Sequence, residues 1–256
     1  MSIEEIRQKY ISVQWLNFIK QAIVHIDLAR EIYSKNKNSE RHKDGRRKAI
    51  SLIENTHASI SIILLNTAIE SLCNAQAFWV KQRNFNQWDR LDIKLKTLLP
   101  ATRDNFVKAL LEFDFIRNII IHAYIWIKLR RYKDDFSFKY VKSYLWHPFQ
   151  NNERFEDLVN WTERRTKHCR FSIIPTEINF VDSLMGLIIT SKITGFFGWN
   201  NHIIINNLKQ MRFSEETSLI PLKESPRNFL EWLEYFKKFL NNYDKKILEN
   251  LINLIS

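Results

Sequence analysis

Glycine and proline are scarce, four and five residues in a chain of 256. Glycine supplies the left-handed backbone of tight turns and proline presets their first corner. A chain poor in both has few places to reverse direction, which excludes a turn-rich, mainly β architecture. Cysteine is scarcer still. Cys73 and Cys169 stand alone with no C-x-x-C pair, which excludes a disulfide framework and a zinc site and fits a reducing compartment. There is no G-x-x-x-x-G-K-[ST] phosphate loop, no G-x-S-x-G elbow, no H-E-x-x-H and no His/Cys cluster at metal spacing. The first residues, Met-Ser-Ile-Glu-Glu-Ile-Arg, hold acidic side chains and no apolar core, so no signal peptide is expected and the chain reads as cytoplasmic.

Acidic residues are outnumbered 28 to 39, a net charge of +11. Such a surface attracts polyanions by steering and counterion release, which leaves RNA, DNA or an anionic membrane as partner classes. Residues 58–80 carry one charge, Glu70, and are long enough to span a bilayer. Asn66, Glu70, Asn74 and Gln76 interrupt that run, so it reads as the central helix of a bundle, with no membrane partner. The 45% hydrophobic and 13% aromatic content excludes wholesale disorder.

The apolar spacing predicts a mainly all-α chain. Residues 3–34 read as one or two helices, in which His25 is a satisfied core or edge histidine. Residues 35–48, Lys-Asn-Lys-Asn-Ser-Glu-Arg-His-Lys-Asp-Gly-Arg-Arg-Lys, read as a loop, either a solvated connection or a basic arm touching nucleic acid. A long helix follows from about Lys48 to Lys81. A short amphipathic piece over 89–99 is stopped by Pro100; Thr102 then caps a helix, with Asp104 in its first turn, that runs to about Arg131. Residues 136–146 fit a strand and a helix equally. After Pro175, Thr176 caps a helix to Thr194, and Ser225 with Pro226 opens a last helix to about Leu254. Phe229, Leu233, Phe236, Leu240, Tyr243 and Ile247 form its packing seam.

Basic and aromatic residues interleave through Lys128, Arg130, Arg131, Tyr132, Lys139, Tyr140 and Lys142, and again through Trp161, Arg164, Arg165, Lys167 and Arg170. That mixture suits single-stranded nucleic acid, with bases on aromatics and phosphates on cations; it equally suits a half-buried surface.

The chemistry concentrates in Phe113 to Trp126, Phe-Asp-Phe-Ile-Arg-Asn-Ile-Ile-Ile-His-Ala-Tyr-Ile-Trp, where polar groups enter an apolar helical pattern. Desolvating Arg117 or His122 costs several kcal/mol without a partner. Glu70, a lone carboxylate on a nearly uncharged helix, is expected to be buried and to pair with Arg117. Histidine and arginine suffice to cleave RNA by its own 2′-hydroxyl: the imidazole moves the proton and the guanidinium stabilises the phosphoryl oxygens. No metal or cofactor is required. On a regular helix Arg117 and His122 lie roughly 140° apart, whereas Asp114, Asn118 and His122 share a face. A site in which two copies meet satisfies that geometry, which implies a homodimer.

Arg117-Asn118-Ile119-Ile120-Ile121-His122 resembles the R-x-x-x-x-H motif of HEPN-domain ribonucleases, with the polar residue that often follows the arginine. It lies in the C-terminal half of an apolar helix, preceded by Glu70 on a long helix and by a short Lys-containing, Leu-rich segment, as in that family. The resemblance covers about residues 5–135. It implies a HEPN-like antiparallel bundle over 1–135, with 136–256 as a mostly helical extension that has room for a short β segment. It further implies a metal-independent endoribonuclease with His122 as general base or acid, Arg117 as transition-state clamp and Asn118 as orienter. Glu70, Asp114 and Tyr124 are the supporting residues, and the basic stretch that follows offers Lys128, Arg130 and Arg131 as candidate RNA contacts. His122-Ala123-Tyr124 is similar to the H-x-Y extension of toxins whose tyrosine is nucleotidylated by an antitoxin. Prokaryotic toxin-antitoxin or antiphage defence is the implied setting, with an antitoxin or defence protein as partner. The alternative is a non-catalytic HEPN-like module that binds RNA, a nucleotide or a protein partner, with Arg117 and His122 structural and Arg117 paired to Glu70.

Overall fold

A computed structural model describes residues 3–40, 47–48, 50–82, 84–121, 157–160, 162–197 and 229–255; side chains are described from Gln14 onward in the first helix and from Glu231 in the sixth. Among these residues the fold is all-α, with one small antiparallel sheet. The opening segment is a single helix, α1 (Ile3–Asn36). It is followed by α2 (Leu52–Trp79), α3 (Leu91–Leu98) and α4 (Asp104–Ile121). Strands β1 (Val159–Asn160) and β2 (Arg165–Thr166) pair with Val159 opposite Thr166. Helices α5 (Phe180–Phe196), α6 (Phe229–Lys237) and α7 (Asn242–Ile255) complete the described chain.

Helix α2 is the axis. It packs most extensively on α1, then on α5, α4 and α3. By length and composition it could cross a bilayer. Here its buried residues, among them Ile62, Leu65, Ile69 and Leu72, belong to one hydrophobic core shared with α1, α4, α5 and the last two helices. Helix α5 is buried on every side from Phe180 to Thr190, as befits an element enclosed by others. It lies close to α4 because Gly186 has no side chain: a Cβ there would stand 2.6 Å from Cε2 of Phe113.

A chain of buried polar groups locks the helices together. Glu54 at the start of α2 is fully buried and accepts both guanidinium nitrogens of Arg47, Nη1 at 2.9 Å. It also accepts the backbone N–H of Phe180, the first residue of α5, at 3.1 Å. Arg47 lies 4.6 Å over the ring of Tyr33 on α1. The Tyr33 hydroxyl donates to Asp244 on α7 at 2.6 Å. Arg47 is therefore neither a solvated connection nor part of a free basic arm. Its predecessors 41–46 lie outside the described residues.

The hairpin is fastened by a second buried carboxylate. Glu112 on α4 accepts the backbone N–H groups of His168 at 2.8 Å and Cys169 at 2.7 Å, and lies 2.8 Å from Nδ1 of His168. Burial, reinforced by Glu112, pushes the Cys169 thiol well above its ordinary pKa. The hairpin turns without glycine: Arg164 and Arg170 take left-handed backbone, φ 56° and 72°.

Three expected caps differ. Thr102 does not cap α4; its hydroxyl turns back to the Leu99 carbonyl at 2.7 Å, and α4 begins at Asp104. Pro175–Glu177 is a 3-10 turn, and α5 is capped instead by Asn179, whose side chain accepts from Val181 N–H while Asp182 accepts from Asn179 N–H. A short polar side chain with an acid three residues on is a better box than Thr176 could build in a 3-10 turn. The last helix is two, because Asn241 accepts the Asp244 N–H at 3.0 Å and starts α7 afresh. The seam changes phase there: Leu233, Phe236 and Leu240 are buried, but Tyr243 is exposed and Leu248, Leu251 and Ile255 replace it. Ser225, Pro226 and the ambiguous 136–146 lie outside the described residues.

The two described glycines give opposite expectations. Gly195→Ala adds a Cβ that meets nothing within 4 Å and removes unfolded-state freedom, so it should stabilise by about 0.5–1 kcal/mol. Gly186→Ala drives a methyl into Phe113 and should destabilise by about 1–3 kcal/mol. Urea titration distinguishes the signs.

Asp182 carries a pH dependence. Burial pushes its carboxyl up to about 6, although Arg165 and the amides of Ser172 and Asn179 pull the other way. The native state thus binds a proton more tightly than the unfolded chain, and the stability this adds is lost as pH rises through about 6. Asp182→Asn stays neutral throughout. Its stability relative to wild type should rise between about pH 4 and 7, by up to about 3 kcal/mol, read from urea midpoints at both ends.

Candidate active site

Helix α4 presents two of the three motif residues. Arg117 and Asn118 stand near its end, both half-buried, with Arg117 Nη1 donating to Asn118 Oδ1 at 2.8 Å. Among the described residues this is the one hydrogen bond the guanidinium makes, and its buried Nε has no partner. A guanidinium has five donors, and this contact uses one of them. One turn earlier stands Asp114. Burial raises its carboxyl pKa; Arg117 and Asn66 favour its charged form, while Glu70 and Asp92 oppose it. Asn66, on α2, approaches closely enough to act on that carboxylate, yet its buried amide nitrogen closes no full hydrogen bond.

Glu70 corrects the expectation drawn from composition. Its partner is Lys94 of α3, 3.1 Å away, rather than Arg117. The Lys94 side chain is 0% exposed and that of Glu70 is 42% exposed. The lysine, wholly desolvated, has the greater need of a counter-ion, and a carboxylate at the bundle edge can meet it while staying partly hydrated. Cys73 lies near the same pair, but burial pushes its thiol up to about 12, so it is no nucleophile at neutral pH.

α2, α3 and α4 therefore bring together Asn66, Glu70, Lys94, Asp114, Arg117 and Asn118. His122, Tyr124, Lys128, Arg130 and Arg131 lie outside the described residues, which stop at Ile121 and resume at 157. Two of the basic residues after Trp161 are consumed locally. Arg165 is buried and donates to the Arg170 carbonyl at 2.6 Å, and Arg170 pairs with Glu163. These two close the hairpin and are poor candidates for an open cationic surface.

Two residues escaped the sequence reading. Lys94 sits in an ordinary amphipathic pattern, and nothing in its neighbours announces that it is fully buried. Asn66 was visible only as an interruption of an apolar run. Among the described residues no group of three or more His, Cys, Asp or Glu side chains converges as a metal site would require.

Comparison of the chain with protein-family models, with curated proteins and with solved structures finds no match.

The unequal burial of the Glu70–Lys94 pair predicts unequal mutants. Glu70→Ala strips a buried ammonium of its carboxylate and should cost about 1–3 kcal/mol. Lys94→Met leaves Glu70 to water and should cost less than half as much. Equal losses in thermal unfolding would contradict the burial asymmetry.

Proposed function

We propose that this chain is a metal-independent endoribonuclease of the HEPN type that cleaves RNA by attack of its own 2′-hydroxyl. The observation that carries the proposal is the Arg117–Asn118 contact at 2.8 Å on α4, with Glu70 engaged by Lys94 rather than by Arg117. His122, four residues after Asn118 in the sequence, takes the proton of the 2′-hydroxyl as the 2′-oxygen bonds to phosphorus. The bond from phosphorus to the 5′-oxygen breaks and that oxygen is protonated. A 2′,3′-cyclic phosphate and a 5′-hydroxyl result. Arg117 stabilises the charge gathering on the non-bridging oxygens, and Asn118 holds Arg117 in place. Lys128, Arg130 and Arg131 supply cations for the RNA backbone, in keeping with the charge of +11. In this reading the protein works in the cytoplasm as a homodimeric toxin or defence effector. An antitoxin or defence protein restrains it, with Tyr124 as a candidate point of modification.

One observation favours the alternative of a non-catalytic HEPN-like binding module: Arg117 is half-buried with Nε inside, as a structural arginine would be. A single experiment separates the two. Purified protein is expected to cut single-stranded RNA in EDTA, leaving cyclic phosphate ends detectable by mass spectrometry. Arg117→Ala and His122→Ala should each slow cleavage at least about 100-fold while helical content and melting temperature stay near wild type. RNA that stays intact with wild type, together with an unfolded Arg117→Ala, sinks the enzyme in favour of the module.

A further inference from the structure

We propose that His25 and His57 form a two-histidine binding site for a first-row transition-metal cation, copper(II) or nickel(II), on the seam between α1 and α2. The two Nδ1 atoms lie 3.0 Å apart, with ring centroids 5.2 Å apart and planes inclined by 30°. Each histidine comes from one of the two helices with the most extensive contact in the fold, so their separation is set by packed backbone rather than by loops. Both rings are half-buried, leaving room for water on the open side.

Imidazole nitrogens bind such ions at about 2.1 Å, so neighbouring ligands lie about 3.0 Å apart on a square or octahedral ion and about 3.4 Å apart on a tetrahedral one. The observed Nδ1 separation is within reach of both. With centroids 5.2 Å apart the two rings face each other nearly head-on, so each turns toward the open side to bring both lone pairs onto one cation. Imidazole also suits copper and nickel, and copper(II) heads the affinity order of the series. Without metal, one Nδ1–H donates to the other Nδ1. On binding, that proton moves to Nε2 of its own ring and both Nδ1 lone pairs go to the cation. The pair then releases no net proton, and water fills the remaining positions.

Among the described residues no third His, Cys, Asp or Glu joins the pair. It is therefore an open site that exchanges its ion, unlike a closed four-ligand structural centre. It lies nine residues along α2 from Asn66, about 14 Å at helical rise, and so is separate from the Arg117 cluster.

The test is a titration of the full chain with copper(II) in a non-coordinating buffer. One equivalent should bind with an electron paramagnetic resonance pattern of two nitrogen ligands and should raise the melting temperature. His25→Gln and His57→Gln should each abolish that pattern and the thermal shift. Carbethoxylation of the wild-type chain, mapped by mass spectrometry, gives a reading free of any substitution: copper should protect both His25 and His57. Unprotected rings, no saturable equivalent, or copper binding unchanged in both variants would overturn the site.

Discussion

Everything in this fold is hung on a carboxylate that water cannot reach. Glu54, at 0% exposure, must collect hydrogen bonds or be lost as a charge, and it collects them from Arg47 and from the first backbone N–H of α5. Burying an ion pair is seldom a gain in free energy over an apolar pair, but removing either member is severe. The consequence is geometrical. Helix α5 can start only where its first N–H meets Glu54, and the chain before α2 must pass where Arg47 can lie between Tyr33 and that carboxylate. Tyr33 carries the constraint on to Asp244, so α7 is oriented by the same charge.

The repeat of apolar residues at three and four was enough to read the extents of α1, α2 and α3 and the start of α4 to within a few residues, because core burial enforces that period; the expected end of α4 at about Arg131 lies outside the described residues. It also suffices for the all-α class, since a chain with so little glycine has few turns to spend. What it could not show is which polar groups lie inside. Glu70 looked buried because its neighbours in sequence are apolar, yet it sits at the bundle edge; Lys94, in an ordinary amphipathic pattern, is wholly enclosed. Glu54 and Glu112 drew no notice, although each organises a distant segment. Sequence neighbours define the face of a helix, whereas the partner of a charge comes from another element altogether.

At the candidate site, legibility is divided in the same way. Asp114, Arg117 and Asn118 are neighbours on one helix, and their closeness follows from helical spacing alone. The environment that tunes them, Asn66 and Glu70 from α2 and Asp92 from α3, is tertiary. Arg117 makes its hydrogen bond to an asparagine, and the carboxylate that faces it, Asp114, is one whose charged form burial disfavours. The exchange of partners at Glu70 matters to the proposed chemistry as well as to the fold.

The two buried glutamates also define what can be inherited or engineered as a unit. Glu54 and Glu112 both belong to the first half of the sequence, and both draw essential donors from beyond residue 157: Phe180 for one, His168 and Cys169 for the other. Cutting the chain near residue 135 would leave two carboxylates facing apolar surroundings with donors missing. The N-terminal bundle is therefore no portable cassette to which a tail was appended. Its interior charges are answered by donors from the later segment, so the two stretches share one interior.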